Sequence, residues 1–299
     1  MSQNDDSARV SPTAHYTGFV WARHGLGHPA FATAEGRLMF RASQPAMALS
    51  RALGGPTLEG LLLARHRLID ERLQAAIKAG SVSQVIEIAS GLSPRGWRYA
   101  KQYGERIRYL EADLPGMAAR KRRLLATVGS TGSDHHRVVD IDAFAATGPA
   151  SLAGIAATLD PAQGTAVITE GLINYFPQDA VTGLWARIAS TLRGFPLGLY
   201  LSDLHLAADN RSPLVRAGVR LLSAFVRGRV HLHFGSAEAA LQALHAAGFD
   251  NARLHCPADL ADRYRECRDP AARLVRIVEA RTGSRSTPGP GPEKLAGTS

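Results

Sequence analysis

The chain has 299 residues, 45% of them hydrophobic, which suits one large α/β domain with appendages. Two cysteines, Cys256 and Cys267, are too few for a disulfide framework and lack CxxC spacing, which fits a reducing, cytoplasmic setting. The formal charge of +9 invites a nucleic-acid partner, but the densest basic cluster, RKRR at 120–123, has no interleaved aromatics for base stacking, so none is expected.

The polar start MSQNDDSARV has no signal-peptide core, and no apolar run approaches the ~20 residues of a membrane span, so no membrane partner is expected. Residues 1–12 and 282–299 read as disordered tails, leaving one domain over 13–281. Its N-terminal part, 13–56, reads as a helical cap. There HYTGFVWARHGLGHP packs His15, Tyr16, Phe19, Trp21, His24 and His28 into fourteen residues, either lining an acceptor pocket or capping the sheet. His24 and His28 have an i, i+4 spacing, but two glycines and Pro29 disfavour a helix and no third ligand is evident, so no metal is expected.

TLEGLLLARHRLIDERLQAAIKAG is the clearest helix, with Thr57 as N-cap and Gly80 as stop. Arg65 falls on its apolar stripe, where it either snorkels from the edge or meets an acid, while His66 and Arg67 are expected to point elsewhere. Five β-rich runs follow at 85–89, 107–112, 137–141, 166–169 and 199–204, spaced for crossover helices. That rhythm predicts a parallel, doubly wound sheet with its site at the carboxyl ends of the strands. A helix from Ser236 to Gly248 and a strand near 251–256 close the domain. Between them and the fifth run, 206–235 reads as a lid insertion carrying Arg211, Arg216, Arg220, Arg227 and Arg229.

Three acids sit at comparable places on successive strands: Glu87 in VIEIASG, Glu111 in RYLEAD and Glu170 in VITEG. A buried Glu87 demands a partner. Glu111 follows it at nearly the interval by which dinucleotide folds place a ribose-binding acid, yet there is neither GxGxxG nor GK[ST], so a cofactor with ribose but no pyrophosphate suits the site better. At the end of LYLSDLH, His205 reads either as a general base or as a histidine tied to a backbone carbonyl. Tyr175 either shapes the pocket or packs.

LARHRLID, VIEIASGLSPRGWR, RYLEADLPGMAARKRRLL, VVDID and AVITEGLINYFPQDAV, in this order over 63–181, together resemble the S-adenosylmethionine-dependent leucine carboxyl methyltransferase family, in particular its bacterial small-molecule O-methyltransferases. The resemblance implies a class I methyltransferase (Rossmann-like) fold with a mainly parallel seven-stranded sheet. It further implies S-adenosylmethionine as cofactor, S-adenosylhomocysteine as product, and methyl transfer to a carboxylate or hydroxyl of a small molecule such as a polyketide-like metabolite. Arg65 would grip the methionyl carboxylate, Ala89 and Gly91 form the cofactor turn, Glu111 hold the ribose, Asp140 and Ile141 flank adenine, and Glu170 face the amino group. Glu87 would hydrogen-bond near the cofactor. Where many relatives read GxGxDTR this chain reads ASGLSPR; the methyl of Ala89 is expected to fit within the strand. INYFP, unlike the [DNS]PP[YF] run of amino-methyltransferases, favours oxygen as acceptor. A protein C-terminal carboxyl methyltransferase and a catalytically silent cofactor-binding protein are the alternative readings, and a homodimer is the assembly considered.

Overall fold

The structure, a computed structural model, describes residues 12–130, 132–210 and 231–283. Seven strands form one sheet: β1 (Gln84–Ile88), β2 (Arg108–Asp113), β3 (His136–Asp140), β4 (Thr165–Thr169), β5 (Gly198–Leu204), β6 (Asn251–His255) and β7 (Arg276–Thr282). Their order is β3-β2-β1-β4-β5-β7-β6, with β7 antiparallel to both neighbours and the other pairs parallel. Because order reverses between β1 and β4, their carboxyl ends flank a crevice of the kind that open α/β sheets use for ligands. The seventh strand lacks clear period-2 patterning and ends inside the expected C-terminal tail.

Strand alternation sends Ile86 and Ile88 into one layer and Val85 and Glu87 into the other. The first layer is covered by α6 (Leu152–Ala156), α7 (Gln178–Leu192) and α8 (Ala237–Ala246). The second is covered by α3 (Leu58–Lys78) and α4 (Arg95–Tyr103), whose Leu68, Ile69, Leu73 and Tyr99 pack against Val85, Tyr109 and Ile168. α5 (Pro115–Thr127) packs beside β3.

Thr57 caps α3 as expected: its hydroxyl accepts from the Gly60 N–H at 2.9 Å and donates to Asp269 at 2.6 Å. Gly80, at φ +66°, ends the helix. His66 departs from expectation, being fully buried with its ring 4.8 Å from that of Trp21. The reason is that α3 is covered on two sides, by the sheet and by α1 (Pro12–Arg23) with α2 (Ala34–Ala52). Tyr16, Phe19, Val20 and Phe40 of these cap helices pack on Leu62 and Leu63, so most of the N-terminal aromatics are core. Both cysteines are free. Of the expected lid, 211–230 and its five arginines lie outside the described residues; Leu206 and Phe234 bridge its ends.

Candidate functional site

Glu87 finds its partner inside the protein. Arg95 of α4, fully buried, donates from Nη1 to Glu87 at 2.5 Å, from Nε to Asp70 at 2.6 Å and from Nη2 to Glu170 at 2.5 Å. Tyr109 donates its hydroxyl to the other Glu87 oxygen at 2.7 Å. The first-strand acid therefore has both oxygens occupied by protein groups, and the structure places it in a buried ion network and not at a cofactor surface. Its place on the strand gave no hint of Arg95, eight residues on.

The network runs to the strand ends. Glu170, just past β4, accepts from Arg65 Nε at 3.1 Å and from His66 Nδ1 at 2.9 Å, and Arg65 also donates to Asp203 at 3.1 Å. Arg98 pairs with Asp70 and donates to His66 Nε2 at 3.1 Å. Burial and neighbouring Arg95, whose Nη2 stands 2.8 Å from Nδ1, lower the His66 pKa and favour the neutral ring. Burial alone would raise Asp70 and Glu170, but the facing cations more than offset it and hold both carboxyls well below their usual range. Three guanidinium groups here face four carboxylates, so one negative charge is left to be met, which suits an ammonium group of a ligand. Arg65 is accordingly no snorkelling side chain: its guanidinium lies under the turn after β4. A Cβ on Gly171 (φ +69°) would sit 2.8 Å from Arg65 Nη2, so only glycine lets the backbone approach it.

Glu111 was expected to hold a ribose. It lies two residues short of the end of β2, fully buried, with one oxygen 2.6 Å from His136 and the other against Lys121. The acid that does reach the strand end is Asp113, two residues on and on the same face. It accepts from the Gly91 N–H at 2.7 Å, and its own backbone oxygen takes the Ile141 N–H at 2.9 Å. Burial pushes the Asp113 carboxyl up to about 6, against the opposing pull of the Gly91 and Leu114 amides. A signal for it was present in RYLEAD, where a second acid ends the strand.

The turn after β1 differs from expectation as well. Ala89 lies outside the strand, at φ +53°, in the left-handed region where only glycine is comfortable; among the described residues no other non-glycine has positive φ. Gly91 follows at φ +51°. Between them Ser90 has a buried hydroxyl without a protein partner among the described residues. At the end of β3, Asp140 is half-exposed and paired with Arg122, while Ile141 is buried. His205, just past β5, is tied through Nδ1 to the Leu274 carbonyl at 2.8 Å, the arrangement weighed against a base role; the carbonyl can only accept, so Nε2 carries the lone pair. Burial lowers its pKa, keeping it neutral. Burial raises Tyr175, with Arg65 opposing, so its hydroxyl stays protonated. His24 pairs with Glu59 at 2.6 Å, and His28 accepts from the Ala30 N–H at 3.2 Å. Asp70 and Asp113 are the acids of these networks that sequence reasoning missed.

The chain is similar to a "putative methyltransferase" from Thermobifida fusca, with a TM-score of 0.61 at 14% identity, covering 94% of this chain and 97% of that one. It is similar to the S-adenosylmethionine-dependent methyltransferase SibL at TM-score 0.52 and 16% identity, over 91% and 70%. These likenesses show the shared class I methyltransferase fold. Curated relatives include proteins of Mycolicibacterium gilvum (39% identical over 119 residues, 40% of this chain) and Rhodococcus jostii (35% over 158 residues, 53%), both named "Putative S-adenosyl-L-methionine-dependent methyltransferase". The matched stretches cover 37% and 49% of those proteins, so they span less than half of these relatives' length. The leucine carboxyl methyltransferase family matches residues 28–189, more than half of the sequence, and contains every element that builds the crevice except β5. The chain belongs to the leucine carboxyl methyltransferase family.

Proposed function

We propose that this protein is an S-adenosylmethionine-dependent O-methyltransferase acting on a carboxylate or hydroxyl of a small molecule. The observation that carries the reading is the convergence, on either side of the β1–β4 switch, of Arg65 under Gly171 and Asp113 against Gly91, beside a charge network one positive charge short. A ligand bearing a carboxylate, an ammonium and a ribose diol matches those three features. The relatives' names and the family match point to the same cofactor.

In this reading Asp113 takes the ribose hydroxyls, with Ile141 beside the adenine and Asp140 at its rim. The acidic side of the network, Glu170 with Asp203, faces the amino group, and Arg65 the carboxylate. The sulfonium supplies an already activated methyl group, so the protein's contribution is alignment and exclusion of water. His205, neutral and with its Nε2 lone pair free of the Leu274 carbonyl, is positioned after β5 to accept a proton from a phenol or enol acceptor; a carboxylate acceptor needs no base. Tyr175, held protonated by burial, can donate a hydrogen bond but cannot serve as that base.

A thermal-shift titration with S-adenosylhomocysteine tests the cofactor assignment. A ligand at a hundredfold excess over its dissociation constant adds about 2.7 kcal/mol of stability, and saturable stabilisation that D113N loses is the expected result. No shift in folded protein would overturn the reading. Transfer of labelled methyl to small acids and phenols, set against peptides ending in a free leucine carboxylate, then separates the acceptor classes; turnover of the peptides alone would replace this proposal with protein carboxyl methylation.

A further inference from the structure

The outward face of α2 is unlike the rest of the described surface. Of the four exposed large apolar side chains among the described residues, three belong to this helix or its C-cap: Leu38 (70%), Leu49 (63%) and Leu53 (69%). With the exposed Ala42 and Pro45 they follow steps of four, three, four and four residues, which makes one continuous stripe about 22 Å long at 1.5 Å per residue. By the same helical geometry Arg37 and Arg41 fall on one flank of that stripe, while Arg51 lies on the opposite side of the helix. Arg37 and Arg41, with Arg23 of α1, rim a shallow groove of about 410 Å³ floored by Phe19 and Phe40. The Arg23 guanidinium stands 5.2 Å over the Phe40 ring, and none of these four arginines forms an ion pair with a carboxylate among the described residues.

An apolar stripe of this size is a cost to a freely diffusing molecule unless something covers it. We infer that this face docks on an anionic phospholipid surface, with the phosphates at Arg23, Arg37 and Arg41 and the leucines in the acyl boundary. Three features favour a lipid occupant. The stripe is a convex ridge, which a fluid boundary accommodates without a complementary groove. Its exposed apolar groups are leucines, alanine and proline, without the aromatic anchors that dominate protein interfaces. Its charges are unpaired arginines on one edge, matching a plane of phosphates that the ridge enters obliquely. A second copy fits less well, since antiparallel pairing of two α2 stripes sets one arginine flank against the other. No described helix is long and apolar enough to cross a membrane, so α2 would lie on the surface and not span it.

Flotation of the full chain with phosphatidylcholine vesicles, with and without roughly one-third phosphatidylglycerol, tests this. Binding is expected only to the anionic vesicles. L38S/L49S/L53S, which leaves the charge unchanged, is expected to weaken it about tenfold or more. R37Q/R41Q is expected to weaken it about thirtyfold, at about 1 kcal/mol per arginine. Both variants should keep the wild-type melting temperature and S-adenosylhomocysteine response, because neither touches the strand ends. Failure to bind at low salt would overturn the inference, as would binding that survives both variants, which would assign it to basic surface elsewhere. Leucine-dependent self-association in sedimentation, or leucine-dependent binding to an acidic helical peptide without vesicle binding, would also overturn it by giving the ridge another occupant.

Discussion

The acids Glu87 and Asp113 lie on the same face of adjacent strands, yet their surroundings give them different work. Glu87 is inside the sheet, where Arg95 and Tyr109 occupy both oxygens. Asp113 stands at the strand end, where one backbone amide holds one oxygen and the other meets only the Leu114 N–H. Each acid accepts one hydrogen bond per oxygen, so place and donor separate them: Glu87, 1% exposed and held by side chains, serves the scaffold, while Asp113, 9% exposed and held only by backbone amides, stands where a ligand can reach it. Glu111, on β2 opposite Glu87, belongs with the scaffold by the same criterion, since Lys121 and His136 take its oxygens. The two groups differ by only two residues along a strand, one full step of the pleat.

The strongest way to break the comparison is at Arg95. Arg95→Met leaves Glu87, Asp70 and Glu170 buried around a missing cation, which should cost about 3–5 kcal/mol and lower the melting temperature by about 10 °C. A change under ~1 kcal/mol in a denaturant titration would mean the network is not what holds α4 to the sheet. Glu111→Gln follows, at about 3 kcal/mol of stability through the stranded Lys121, with S-adenosylhomocysteine affinity unchanged in the variant that remains folded. Asp113→Asn should do the reverse: no loss of stability at pH 7, where the wild-type carboxylate is ionised against its burial, and affinity down ten- to a hundredfold through lost charge-assisted hydrogen bonds. Calorimetry on the two variants decides between them, and equal affinity losses would erase the distinction drawn here.

Much of the fold was legible because it depends on local pattern. The five parallel strands, the Thr57 cap and the Gly80 stop each follow from a few neighbouring residues. β7 was not legible: it is an antiparallel strand whose pairing with β5 and β6 is entirely non-local. For the site, position along a strand was readable, but the number of oxygens already occupied was not. Glu87, Glu111 and Glu170 look alike in sequence, and only the three-dimensional placement of Arg95, Lys121 and Arg65 separates them. His66 was misplaced for a related reason: helical periodicity assumes one buried face, and α3 has two.

pH offers a gentler handle on the same contrast. The Asp113 carboxyl, raised by burial to about 6, stays protonated in the folded chain over a range where the unfolded chain has lost its proton. Its contribution therefore favours folding below about pH 4 and is lost as pH rises through 6. Ribose binding needs the ionised form, so affinity should move the other way. At pH 5 only about one-tenth of such a carboxyl is ionised, and the dissociation constant for S-adenosylhomocysteine should be about tenfold weaker than at pH 7, a dependence Asp113→Asn removes. A flat profile in the wild type would place the ribose elsewhere.

The smallest effect lies at Ala89, where the turn beside Asp113 carries a methyl in a left-handed backbone. That conformation costs an alanine about 1–2 kcal/mol, while glycine at the same place costs more unfolded-chain entropy, about 0.5–1 kcal/mol. Ala89→Gly should then stabilise the protein by about 0.5–1 kcal/mol, a rise of roughly 2 °C. Gly91→Ala, at nearly the same φ, should destabilise it by a similar or larger amount. Ala89 also packs on the buried cluster that contains Ile88 and Ile173, and this is the term that can reverse the sign. If Ala89→Gly melts lower than wild type, the methyl's packing outweighs the strain, and the alanine is then part of what fixes the turn. Cofactor affinity separates the cases further: relief of strain alone leaves the turn in place and the affinity within about twofold, whereas a loosened turn weakens it together with stability.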